Sequence, residues 1–388
     1  MFLIIILFLI IILLCVVIAI YITNPFITIF HELGHAIAYL ILTKPDKIDI
    51  FIGSNESSNS KINFKIGKLH FHIKLSFLLN GGGMCKSNKM EPNYINQIII
   101  FLAGPFFSLI IACAIGFIAF NSEIYGIVKV FCFASIIFSF ISLYSNLKPH
   151  TNINTGLDND GKQLFFILKY RKVFTDYISA CALFNNGEFN LCSEKLIKIV
   201  SIYPYEKKFL RPLTDSLLQN KNCIQAEKYL IDLQQACEFK VQDYLNLGYT
   251  QSLTNRTELA ISNYRQALDI EKNNLIGLNN LGYELTLKGD YKEGQELMER
   301  AIKINPEFAH PYSNLGCLKI LSGDLEGGKQ LVEKSLELEA DNAYAYKHLG
   351  IYYLKSGDKE KSLTNFKKAL ELDPTINLAP FNKDAELF

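Results

Sequence analysis

The sequence predicts an all-α fold class in two parts: a polytopic helical membrane domain with a small β-structured cytoplasmic loop, followed by an α-solenoid of helical repeats. Three observations predict it. Nearly all long apolar runs lie before residue 146, whereas the remainder alternates apolar and charged residues like a soluble helical protein. Between them, residues 44–90 switch to period-two alternation. Finally, Gly248, Gly282, Gly316 and Gly350 recur at a fixed interval of 34 residues, which means stacked repeats. The 388 residues leave room for two or three domains, and a net charge of +1 gives no argument for nucleic acid as a partner. Nine cysteines are scattered without a Cys-x-x-Cys pair, which excludes a disulfide framework or a cysteine zinc site and fits a reducing compartment for the soluble half.

Taken in order, residues 1–22 form an apolar run long enough to cross a bilayer, without the basic start or small-residue cleavage site of a signal peptide. Asn24-Pro25 breaks or kinks the helix, and residues 26–42 make the second span; one long kinked helix is the alternative. Two further spans are expected at about 95–120 and 124–144, joined by Asn121-Ser122-Glu123. Lys44, Lys47, Lys61, Lys65, Lys68, Lys74, Lys86 and Lys89 fill the 44–94 segment, and Lys148 opens the tail, so the positive-inside rule puts loop and tail in the cytoplasm. Lys129 falls inside the fourth span, as a residue near an end that snorkels would. Within the loop, Lys47 to Gly53 and Lys61 to Leu79 read as strands joined by the polar turn Ser54 to Ser60.

His31-Glu32-Leu33-Gly34-His35 interrupts the second span with three ionisable side chains. Such residues cost about 2.5–3.5 kcal/mol each at bilayer depth, and they persist where they pair, bind an ion or line a water-filled site. Residues four apart share a helix face, so His31 and His35 can offer imidazole nitrogens to one Zn²⁺, with Glu32 beside it as general base. A site of this type needs a third protein ligand. Asp160, in Asp158-Asn159-Asp160-Gly161 just after the last span, is the best candidate, and Asp158 and His150 are rivals. Spacing alone leaves the choice open, and a solvated Asx-rich turn is the bland reading of all three. His70 and His72 share a strand face but read as ordinary strand residues.

The order of elements resembles the site-2 protease family of intramembrane zinc metallopeptidases over roughly residues 1–168. The resemblance is carried by HELGH in an early span, a β-type loop ending in Gly81-Gly82-Gly83, Leu102-Ala103-Gly104-Pro105 in a later span, and Asn146-Leu147-Lys148-Pro149 leading to Asp160-Gly161. It implies that His31, His35 and Asp160 bind Zn²⁺ and that Glu32 is the catalytic base. Asn146, Gly104 and Pro105 then lie close to the site or help position substrate. Ser108 stands where the family often has Asn, and Asn159-Asp160-Gly161-Lys162 replaces its usual Leu-Asp-Gly-Gly.

The second half divides into units at 173–206, 207–240, 241–274, 275–308, 309–342 and 343–376, with a tail at 377–388. Leu precedes each of the four repeating glycines, small residues recur at Ala267, Ala301, Ser335 and Ala369, and Gly-Asp turns recur at Gly289, Gly323 and Gly357. This is similar to the tetratricopeptide repeat, with the first two of six units degenerate. Helix pairs of this kind stack into a superhelix with a concave groove. Asn246, Asn280 and Asn314 recur on it, either to hydrogen-bond a peptide or to hold the stack together.

The leading expectation is an intramembrane zinc endopeptidase, an integral membrane protein acting on membrane-spanning substrates within the lipid bilayer. Its repeats, on the cytoplasmic side, recruit or respond to a protein or peptide. A catalytically silent membrane-tethered scaffold is the alternative. A peptidase of another HExxH family would need a later Glu such as Glu194 or Glu227, both of which fall inside the repeat register.

Overall fold

The computed structural model describes residues 23–53, 62–74, 82–151 and 158–378. The expected span at 1–22 and most of the tail fall outside them. The chain divides into two units, residues 1–182 and 183–388.

In the first unit, helix α1 (Thr23–Leu42) carries the HELGH segment, followed by α2 (Tyr94–Asn121) and α3 (Gly126–Leu147). Among the described residues these three helices are long and apolar enough to cross a membrane. Asn24 and Pro25 lie within α1, so the helix is described from three residues ahead of the expected Phe26 start. Lys129 lies in the first turn of α3, and its ammonium donates to the Phe120 carbonyl near the end of α2, which keeps the charge at the end of the span. Small residues let the helices approach closely: a Cβ on Gly34 would come within 2.5 Å of the Ala103 carbonyl, and one on Gly116 within 2.4 Å of Ile136.

Four strands, β1 (Ile48–Ile52), β2 (Ile62–Ile66), β3 (Leu69–Ile73) and β4 (Gly83–Ser87), form one sheet in the order β2-β3-β1-β4. The 61–79 segment is not a single strand. Gly67, at φ +58°, turns it into the antiparallel hairpin β2–β3. β1 pairs with β3 in parallel and with β4 antiparallel, so β2, the next described strand along the chain, is not its neighbour. Alternation explains the packing: Ile48, Ile50 and Ile52 are buried with Ala36 of α1, while Asp49 faces away and holds Lys47 and His72. Both ring nitrogens of His72 are spent on Asp49 and Asn63, so His72 serves the sheet.

Helix α4 (Asp160–Lys169) follows the last apolar helix. Beyond it come α5 (Phe174–Asn185), α6 (Phe189–Ile202), α7 (Lys207–Gln219), α8 (Cys223–Ala236), α9 (Val241–Leu253) and α10 (Thr257–Ile270). The array continues through α11 (Leu275–Lys288), α12 (Tyr291–Ile304), α13 (Ala309–Ser322), α14 (Leu325–Leu338), α15 (Ala343–Lys355) and α16 (Lys359–Leu372). A residue with positive φ recurs in the turns at Gly187, Lys221, Asn255, Gly289, Gly323 and Gly357, one per repeat. The backbone signature thus persists at 221 and 255, where the glycine is missing from the sequence. Within each of the last four units the first-helix glycine accepts a large side chain from the second: Tyr264 on Gly248, Met298 on Gly282, Val332 on Gly316 and Phe366 on Gly350. Any Cβ at those glycines would lie under 3 Å from that side chain, and all four large residues are buried.

The recurring asparagines are engaged within the stack. Asn246 donates to Asp215 of the preceding repeat, Asn314 donates to Asn279, and Asn280 accepts from Asn279. That favours the stack-holding role over peptide capture.

Candidate metal centre

His31 and His35 sit one turn apart on α1, so their rings project from one face, with centroids 4.8 Å apart. The two Nε2 atoms are 3.1 Å apart. Asp160 Oδ2 meets them from the start of α4, 3.0 Å from His31 Nε2 and 3.4 Å from His35 Nε2. Zinc bonds of about 2.0–2.2 Å at tetrahedral angles separate ligand atoms by roughly 3.2–3.6 Å, so this donor set has the spacing and the chemistry for one divalent ion. Burial pushes the Asp160 carboxyl up, but the adjacent His35 and His31 outweigh it and hold it well below the usual carboxylate range.

The surroundings fix the rings. His35 Nδ1 lies 2.7 Å from the Ile100 carbonyl, which can only accept, so the neutral ring carries its proton on Nδ1 and offers the Nε2 lone pair to the centre. Gly104 makes room for that ring: a Cβ there would lie 2.3 Å from His35 Nε2. His31 Nδ1 is buried and has no hydrogen-bond partner among the described residues, an orphan ring nitrogen beside the cluster. Glu32, 5% exposed, packs against the start of β4, where a Cβ on Gly83 would come within 2.6 Å of its Cγ and Oε1. A glycine here lets the strand backbone close over the carboxylate.

Of the three candidates for a third ligand, only Asp160 joins the histidines. Asp158 is turned to Lys162 Nζ at 2.8 Å and to the Thr151 hydroxyl at 2.9 Å. His150 Nδ1 packs against the Lys148 carbonyl and the Asn159 amide. The Asn146 side chain points back to Ser142, and its backbone carbonyl accepts from Asn159. Pro105 contributes the carbonyl that receives the Ser108 hydroxyl. Glu227 is paired with Arg256 in the second unit. The sequence reading missed the Ile100 carbonyl, which no residue type encodes, and Gly83 as the cover of Glu32. It also missed Asn159, whose signal was available: Asn directly before an Asp-led apolar run is a helix N-cap.

The model for Peptidase family M50 matches residues 16–319, and that for the tetratricopeptide repeat matches residues 343–376. No curated protein matches the chain. Among solved structures, MamA 41-end from Desulfovibrio magneticus RS-1 is similar at 19% identity, over 44% of this chain and 97% of that one, with a TM-score of 0.33. TTC0263, a thermophilic TPR protein of Thermus thermophilus, is similar at 20% identity, over 47% of this chain and 100% of that one, with a TM-score of 0.38.

Proposed function

The chain belongs to peptidase family M50, the site-2 protease family, and on that premise we propose that it is an intramembrane zinc endopeptidase cutting membrane-spanning protein substrates. The observation that carries this reading is the convergence of two imidazole Nε2 atoms and one carboxylate oxygen beside a buried glutamate, in a helix otherwise apolar enough to cross a bilayer. His31, His35 and Asp160 would hold the ion. Zinc held there supplies Lewis acidity toward the scissile carbonyl and makes water easier to deprotonate.

The remaining work belongs to the chain's own groups. Glu32 takes a proton from the attacking water and returns it to the leaving amine nitrogen, so the peptide C–N bond breaks with no net proton change at the carboxylate. The Ile100 carbonyl holds the His35 ring in the ligating tautomer. A substrate helix has its carbonyls tied in i to i−4 hydrogen bonds, so it must unwind locally before attack, and substrates with helix-weakening residues are preferred. The lysine-rich 44–94 segment and Lys148 support a cytoplasmic side for the loop and the repeats. On that side the repeat array recruits or answers to a protein partner.

The test compares membrane-protein fragments in cells carrying the wild-type chain or Glu32→Gln. Fragments that vanish with the substitution are expected. An identical fragment pattern would leave the chain a membrane-tethered repeat scaffold.

A further inference from the structure

We propose that Asn159 is a positioning residue: its side chain staples the C-terminal end of α3 to the first turn of α4 and so sets where Asp160 presents its carboxylate. The proposal rests on the metal-site reading above. Its starting point is Pro149. Helix α3 ends at Leu147, and its last carbonyls need donors from beyond the helix. Pro149 has no N–H to give to Ser145, four residues back, so the chain leaves the helix with acceptors unfilled.

Asn159 fills the gap with every valence of its amide. Nδ2 lies 2.8 Å from the Asn146 carbonyl and 2.8 Å from the Lys148 carbonyl, with the Ser145 carbonyl at 3.3 Å and His150 Nδ1 at 2.9 Å. Oδ1 accepts the Lys162 N–H and the His150 N–H, each at 3.0 Å. Two donors and two or more acceptors are thus used at once, tying three stretches of backbone to the residue directly before the candidate ligand. On the other side of Asp160, the Gly161 backbone lies flat on the same helix end, where a Cβ would meet the Leu147 carbonyl at 2.2 Å. Asp160 is therefore held between two contacts to α3, and only one of them depends on a side chain. A plain helix cap uses Oδ1 alone; the staple also needs Nδ2, and that difference separates the two roles.

The experiment titrates Co²⁺, read by its visible ligand-field absorption, into metal-free full-length protein in lipid nanodiscs. It compares wild type with Asn159→Ser and Asn159→Asp. Ser and Asp cap helices as well as Asn does, so the metal-free thermal midpoints should stay close to wild type. Ionised Asp cannot donate to the Asn146 and Lys148 carbonyls, and Ser, with one hydroxyl proton on a shorter side chain, cannot serve both, so Co²⁺ affinity should fall about 10- to 100-fold in both. The Asp variant is the sharper arm, because its added negative charge would by attraction alone tighten cation binding. Wild-type or tighter Co²⁺ binding in either variant would reduce Asn159 to a helix cap and overturn the proposal. Absence of Co²⁺ binding by the wild type itself would instead sink the metal-site reading beneath it.

Discussion

At residue scale, the His35 ring depends on what Gly104 lacks. A methyl there would sit 2.3 Å from Nε2, too close for any rotamer to absorb without moving the ring or the α1–α2 crossing. Gly104→Ala is therefore expected to lower bound zinc per chain, by elemental analysis of purified protein, while leaving the chain membrane-inserted. In the repeats, Lys347 is buried with its ammonium 3.0 Å from the Tyr283 hydroxyl. Burial drives its pKa down to about 8, with Cys317 and Glu284 only partly opposing the shift. The unfolded chain therefore holds more protons between about pH 8 and the ordinary lysine value of 10.5, so stability rises with pH across that window, and below it the group is a full cost. Lys347→Met should stabilise the repeats at pH 7 by an amount of order 2 kcal/mol, shrinking above pH 8, as read by denaturant unfolding of the repeat unit. His31, Glu32 and His35 were legible in the sequence because helical periodicity alone sets their relation. Spacing alone left Asp160 and Asp158 open and the resemblance favoured Asp160, since in the fold the choice depends on how Asn159 and Gly161 dock a turn onto α3.

At element scale, the most regular feature is the left-handed residue in each repeat turn. Gly323 sits at φ +103° and Gly289 at φ +96°, which a side chain adopts only with strain. Gly323→Val is expected to cost about 1–2 kcal/mol of repeat-unit stability in urea unfolding, whereas Ser322→Ala, one residue away at an exposed position, should stay within about 0.5 kcal/mol. The 34-residue register was readable where glycine marks the turn. At Lys221 and Asn255 the turn carries no glycine, and the register of the 241–274 unit was readable instead from Gly248 in its first helix, because the chain keeps the turn conformation and drops the residue that favours it. The sheet was less legible. Alternation gives strands and their buried faces, as with Ile48, Ile50 and Ile52, but pairing partners are set by tertiary closure. Hence the parallel β1–β3 pair and the edge strand β4, whose Gly-Met-Cys-Lys-Ser carries no clear alternation.

At the scale of the whole molecule, apolar helices gather before residue 148 and amphipathic repeats after 173, and the division at residues 182 and 183 falls inside α5. A fragment starting at 173, which keeps α5 whole, is expected to fold alone and to unfold cooperatively, with a midpoint that a zinc chelator leaves unchanged. Chelator treatment of the full chain should abolish proteolysis without altering that transition. On the proposed function, a single ion held by residues from α1 and α4 serves peptide hydrolysis. The most direct measurement is zinc per chain together with cleavage of a membrane-spanning substrate, in nanodiscs, for wild type, Glu32→Gln and Asp160→Asn. Wild type is expected to hold about one zinc and to cleave, Glu32→Gln to hold about one zinc without cleaving, and Asp160→Asn to hold little zinc and not to cleave. A wild-type chain without zinc, or one that still cleaves with Glu32 replaced, would contradict the proposed function.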